Sequence, residues 1–178
     1  MQINNKTFKP YLDAATLQKR IAEMGIEITA DFHDKQPIFI IVLTGAFAFS
    51  SELIRNFQGK CVVRFTRIKS YTGTQSGDIE TFTGFDIDIK NRHVIFLEDI
   101  IDTGKTVFHL TKEAEKLQPA SITVATLLQK QILRPNLIKG DYVGFEIPDV
   151  FVVGFGLDYN EEGRNWNGVY QLESNSQL

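Results

Sequence analysis

Leu97-Glu98-Asp99-Ile100-Ile101-Asp102-Thr103-Gly104-Lys105-Thr106 decides how this chain is read. The apolar segment before it, His93 to Leu97, reads as a short strand. Behind it, Val107, Leu110, Ala114 and Leu117 mark an amphipathic helix ending near Pro119. The junction holds a glycine, two hydroxyls and the unpaired N–H groups of a helix start. Such groups form an anion site that suits a phosphate. Gly104-Lys105-Thr106 is also how a P-loop ends. The spacing rules that out, because the position where a P-loop has its earlier glycine is Asp99. A carboxylate there repels polyphosphate, but it accepts hydrogen bonds from sugar hydroxyls or helps hold a divalent cation. One phosphate beside vicinal hydroxyls describes a ribose 5-phosphate.

Working outward, Leu12, Leu17, Ile21, Met24 and Ile28 recur at helical spacing and predict a helix over about Asp13 to Asp31. Ile38 to Leu43 is an unbroken apolar run, as expected of a strand buried on both faces. A second helix follows Thr44-Gly45 through Leu53, Ile54 and Phe57, and Cys61 to Lys69 reads as another strand. Ile122 to Leu128 and Val150 to Phe155 are strand-like again. Ser70 to Gly84 is polar and glycine-rich, and reads as a long loop or loose hairpin. Strands alternating with helices imply parallel βαβ units, hence an α/β fold with a central sheet. Ligands of such sheets bind beyond the carboxyl ends of the strands.

Composition sets the outer bounds. The chain has 178 residues, 43% hydrophobic and 23% charged, which fits one soluble domain over 1–178. Its single cysteine, Cys61, excludes a disulfide framework and a multi-cysteine zinc site, and reads as a packing residue. No stretch is long and apolar enough to cross a bilayer, and Met1 to Pro10 lacks a basic-then-apolar signal pattern, so a cytoplasmic protein is expected. A net charge of −3 argues against non-specific nucleic-acid binding. His33, His93 and His109 show no metal-ligand spacing and read as structural or surface residues.

The Glu98–Thr106 run resembles the phosphoribosyl-diphosphate motif of type I phosphoribosyltransferases, and with Asp102 and Lys105 it is similar to their hypoxanthine-guanine branch. The adenine and orotate branches carry a small residue at the Asp102 position. Three further stretches carry the resemblance. They are Leu43-Thr44-Gly45, Leu127-Leu128-Gln129-Lys130, and the segment from Tyr142-Val143-Gly144-Phe145-Glu146-Ile147-Pro148-Asp149 through Phe151 to Glu161. Ser70-Tyr71 resembles the Ser-Tyr pair of the family's catalytic lid, placed at 70–84. The match runs from about Ile38 to Val169 and departs at Thr44, where the family usually has lysine or a similar residue.

The resemblance implies a central, mostly parallel sheet flanked by helices, with a small hood from the terminal segments and a purine-binding region over 130–170. It implies that Thr103, Gly104, Lys105 and Thr106 hold the 5′-phosphate and that Glu98 and Asp99 orient the ribose hydroxyls. Thr44, Gly45 and Arg164 would meet the pyrophosphate, and the Leu43–Thr44 peptide is expected to be cis. Phe151 would stack on the purine, the Val152 backbone would bond its edge, and Asp158, with Glu98 and Asp99, would hold Mg2+. Asp102 is the expected general base, Lys130 the donor to the purine 6-oxo group, and Ser70 and Tyr71 part of the catalytic lid. Taken singly, Lys130 would be a solvated lysine, Phe151 a core aromatic and Asp158 a turn aspartate.

The implied partners are 5-phosphoribosyl 1-diphosphate and a 6-oxopurine, with neither nucleic acid nor membrane, in a homo-oligomer of two or four chains. The order of preference among hypoxanthine, guanine and xanthine stays open. The alternatives are a xanthine-preferring enzyme and a regulatory RNA-binding protein on the same fold, which calls for a basic face. Glu161-Glu162 reads as a solvated pair, and Trp166 packs either the carboxyl-terminal segment or an interface.

Overall fold

A computed structural model describes residues 1–70, 79–131 and 138–173, with backbone alone at 69–70 and 79–81. The apolar run forms β3 (Ile38–Leu43) inside a six-stranded sheet ordered β5-β4-β3-β6-β7-β8. The other members are β4 (Val62–Ser70), β5 (Ile79–Phe82), β6 (His93–Ile101), β7 (Ser121–Lys130) and β8 (Tyr142–Ile147). Five run parallel, and β5 pairs antiparallel with β4 at the edge. β3 is apolar throughout because both its faces are covered. Phe39 and Ile41 pack under α1 (Ala14–Phe32) and α2 (Phe47–Asn56), while Ile38, Ile40 and Val42 pack towards α3 (Lys105–Glu115).

α1 begins where its sequence says it should. Asp13 caps it by accepting the Thr16 N–H at 2.7 Å, and Leu17, Ile21, Met24 and Ile28 are fully buried. Leu12, read as part of this helical stripe, instead ends β2 (Lys6–Leu12). With β1 (Gln2–Ile3), β9 (Val152–Val153) and β10 (Val169–Leu172), β2 builds a second, antiparallel sheet ordered β1-β2-β10-β9. This sheet is the hood. It joins both terminal segments, and its core is Ile3, Phe8 and Val153, with Phe151, Tyr159, Trp166 and Tyr170 packed around them. Trp166 therefore packs the carboxyl-terminal segment, its ring edge-on to Tyr170 at 5.0 Å.

α3 stops at Glu115, short of the expected end near Pro119, and leaves Leu117 exposed; three strand boundaries also differ from the sequence reading. The Val150–Phe155 strand contracts to Val152–Val153, because Gly154 and Phe155 take positive φ and turn the chain. β7 extends to Lys130. The third difference changes the site. β6 runs on to Ile101, so Glu98 and Asp99 lie within the strand and not after it. No helix among the described residues is long and apolar enough to cross a membrane.

Candidate active site

Strand register assembles the site. Neighbouring parallel strands pair Ile101 of β6 with Gln129 of β7, and Lys130 of β7 with Ile147 of β8. Asp102, Lys130 and Asp149 thus emerge side by side at the carboxyl end of the sheet, where open α/β folds bind ligands. The Lys130 ammonium lies 3.3 Å from Asp102 Oδ2 and donates to Asp149 Oδ1 at 2.9 Å. Its stem is packed away, leaving the side chain 11% exposed, whereas Asp102 is half exposed.

The chain then turns into α3 through Thr103 and Gly104. Gly104 has φ 72°, a left-handed conformation that glycine adopts without steric cost, and its carbonyl accepts the Phe108 N–H at 2.9 Å. No side chain caps the start of α3, and Lys105 and Thr106 form its first turn. The free N–H groups and the positive end of the helix dipole there are suited to a phosphate.

The second half of the site is a stack of three segments. The Leu43–Thr44 peptide is cis, as expected, and leads into Gly45 at the end of β3. A Cβ on Gly45 would overlap the Asp99 carboxylate, and one on Gly156 would overlap the Gly45 carbonyl. The hood loop and the β3 loop therefore touch backbone to backbone, and the Asp99 side chain of β6 lies against the Gly45 backbone, so a side chain at either glycine would clash. Thr44 is exposed at the turn, and its carbonyl accepts the Phe47 N–H at 3.3 Å.

Arg164 ties the hood loop down. It donates to the Gly156 carbonyl at 2.9 Å and pairs with Asp158 at 2.8 Å and Glu161 at 2.9 Å. Glu161 is exposed, in keeping with its reading as one of a solvated pair, and also pairs with Arg164. The tight turn that lifts Asn160 and Glu161 to positive φ brings it round, and its own N–H is held by Asp158 Oδ2 at 2.8 Å. The sequence held one signal for this, an acid three residues before the arginine.

Glu98 and Asp99 sit where charge is costly. Glu98 is 7% exposed, and its Oε2 has no hydrogen-bond partner among the described residues. Burial, aided by the neighbouring Asp99, holds its carboxyl well above the usual range. Burial also pushes Asp99 up to about 6, against the opposing pull of the Ile100 N–H and Arg164. Glu98 is buried and under-satisfied, while Asp99 is half-buried and accepts the Ile100 N–H at 3.0 Å; a cation or donated hydroxyl hydrogens would stabilise either carboxylate. Among the described residues no three acidic, imidazole or thiol groups converge into a closed metal cage. Hard carboxylate oxygens suit a hydrated divalent cation that takes its other oxygens from substrate, as Mg2+ commonly does.

Phe151 precedes β9 with its ring edge-on to Tyr159 at 5.8 Å, and Val152 pairs with Gln171 of β10. Both belong to the hood. Tyr71 and the 71–78 part of the segment read as a lid lie outside the described residues, as does the Ser70 side chain. Asp149 is the group the sequence reading passed over. It was quoted in a motif but given no role, and its place just beyond β8 appears only once the strands are in register.

A family model described as a phosphoribosyl transferase domain matches residues 9–160. The chain is 37% identical to the hypoxanthine-guanine phosphoribosyltransferase of Bacillus subtilis over 159 residues, 88% of each protein. It is 41% identical to the enzyme of that name from Streptococcus agalactiae over 145 residues, 80% of this chain and 81% of the other. Among solved structures, a hypoxanthine phosphoribosyltransferase from Staphylococcus aureus superposes with a TM-score of 0.88 at 32% identity, covering 97% of this chain and 94% of that one. A hypoxanthine-guanine phosphoribosyltransferase from Bacillus anthracis does so with a TM-score of 0.87 at 31% identity, covering 93% and 98%. Sequence, fold and strand-end chemistry agree: this chain belongs to the phosphoribosyltransferase family, in its hypoxanthine-guanine branch.

Proposed function

We propose that this chain salvages hypoxanthine and guanine, joining either to 5-phosphoribosyl 1-diphosphate and releasing the nucleoside 5′-monophosphate and diphosphate. The observation that carries the reading is the acid–ammonium pair, Asp102 and Lys130, 3.3 Å apart at adjacent strand ends beside the open start of α3. A 6-oxopurine needs both groups on one edge, a base for the N7 proton and a donor for the 6-oxo oxygen. Adenine offers an amino group where Lys130 would donate, and the site would reject it.

In this mechanism Thr103, Gly104, Lys105 and Thr106 grip the 5′-phosphate, a remote contact whose binding energy positions the sugar. Glu98 and Asp99 accept from the ribose hydroxyls. Gly45, with the Thr44 backbone, and Arg164 receive the diphosphate. Purine N9 forms the new bond to the anomeric carbon as the bond to diphosphate oxygen breaks, and Asp102 takes the N7 proton. Lys130 holds the 6-oxo oxygen and draws charge from the ring. Phe151 gives the purine a stacking face, the Val152 backbone bonds its edge, and Ser70 and Tyr71 cover the reacting carbon against water. Glu98, Asp99 and Asp158 would hold Mg2+, which neutralises the departing diphosphate.

The family resemblance implies a homo-oligomer, which sedimentation would detect. The single cysteine and the use of phosphorylated sugar fit a cytoplasmic enzyme. Incubating the protein with phosphoribosyl diphosphate, Mg2+ and each of hypoxanthine, guanine, xanthine and adenine tests the reading. Nucleotide from the first two supports it, and preference for adenine overturns the Lys130 assignment.

A further inference from the structure

Lys130 carries one charge but has two carboxylates beside it. Its hydrogen bond goes to Asp149 at 2.9 Å, and Asp102 stands further off at 3.3 Å. The two acids come from opposite sides, Asp102 from the end of β6 and Asp149 from beyond β8, with Lys130 on the strand between. An ammonium is a compact point charge on a flexible stem, and it settles on whichever anion lies nearest. If Asp149 were absent, the ammonium would close on Asp102. That would block the base and turn the N–H groups away from the purine edge.

We propose that Asp149 is a positioning residue for the purine: it holds the Lys130 ammonium on the β8 side, keeping Asp102 open and one N–H of Lys130 directed at a 6-oxo group. This rests on the proposed function and deepens it. Asp149 itself need not touch the purine. Its side chain is 71% exposed, and the 2.9 Å ion pair to Lys130 is the contact through which it would act on the purine. The three-point arrangement explains how a single lysine can serve a carbonyl oxygen next to a carboxylate that must remain free to accept a proton.

Titration calorimetry with inosine 5′-monophosphate, run beside steady-state kinetics, tests it. Asp149→Asn should weaken nucleotide binding by about 3–10-fold, as expected for one partly screened charge-assisted hydrogen bond. It should raise the KM for hypoxanthine by a similar factor and leave the KM for phosphoribosyl diphosphate within about twofold. Asp149→Glu, which restores the charge, should recover most of the loss. In a Lys130→Ala background Asp149→Asn should have almost no further effect, since coupled residues are non-additive. Unchanged binding in Asp149→Asn, the same loss with or without Lys130, or parallel shifts in both KM values would each overturn the proposal. A wild-type protein that neither binds the nucleotide nor makes it would instead overturn the functional reading on which the proposal rests.

Discussion

In the proposed mechanism Asp102 and Lys130 divide the chemistry between them, and their substitutions should separate. Asp102→Ala should lower kcat by about 10²–10⁴, the usual range for loss of a general base. Lys130→Ala should act mainly on the KM for the purine. Steady-state kinetics distinguishes the two, and near-normal turnover in Asp102→Ala would sink the base assignment. Asp99 makes a prediction about stability. Its carboxyl is raised from 3.8 to about 6, so the folded protein binds that proton more tightly than the unfolded chain does. The resulting stabilisation is complete below about pH 4 and is lost as pH rises through about 6. Asp99→Asn cannot ionise and should keep it. Without ligand, variant and parent should melt together near pH 4 and differ by about 6–12 °C at pH 8, the variant higher. A difference that does not grow with pH would refute the assigned cause.

At the scale of elements, the site depends on close backbone approach. Gly45 leaves room for the Asp99 carboxylate, and Gly156 leaves room for the Gly45 carbonyl. Gly45→Ala should displace Asp99 and raise the KM for phosphoribosyl diphosphate by about 10–100-fold, since a shift of about 1 Å at such a site is costly. The purine KM should move much less, and equal movement of both would point to general unfolding. Much of this was legible in the sequence. The Ile38–Leu43 run announced a doubly covered strand, and the Glu98–Thr106 run announced its chemistry at once. The end of β6 was not legible, because two adjacent acids resemble a loop more than a strand, where acidic residues are sparse. The Glu161 and Asp149 contacts were also hidden. One depends on a left-handed turn and the other on register between strands that are distant in sequence.

The whole molecule is a covered sheet with a hood drawn from both ends of the chain. The hood strands β1 and β2 escaped the sequence reading. β1 has two residues, β2 buries only Phe8 of its seven, and the partner that closes their sheet, β10, begins at Val169. Short pairings carry little signal without their long-range partner. Phe8, 1% exposed at the centre of the hood, holds the two ends together through Phe151, Tyr159 and Trp166. Phe8→Ala should cost about 3–5 kcal/mol in denaturant unfolding, and should raise the purine KM through the loosened Phe151. The net charge of −3 also makes sense at this scale. In the proposed mechanism acids serve ribose and metal, while Lys105, Lys130 and Arg164 supply positive charge where anions or a carbonyl would bind.

The central claim is that Asp102 and Lys130 form a site for a 6-oxopurine on a phosphoribosyl-transfer fold. The most direct measurement is nucleotide formation from phosphoribosyl diphosphate and Mg2+ with hypoxanthine or adenine as the competing base. The account predicts inosine 5′-monophosphate with little or no adenosine 5′-monophosphate, and loss of that product in Asp102→Ala. Adenosine 5′-monophosphate as the main product, or no nucleotide from either base, would contradict it.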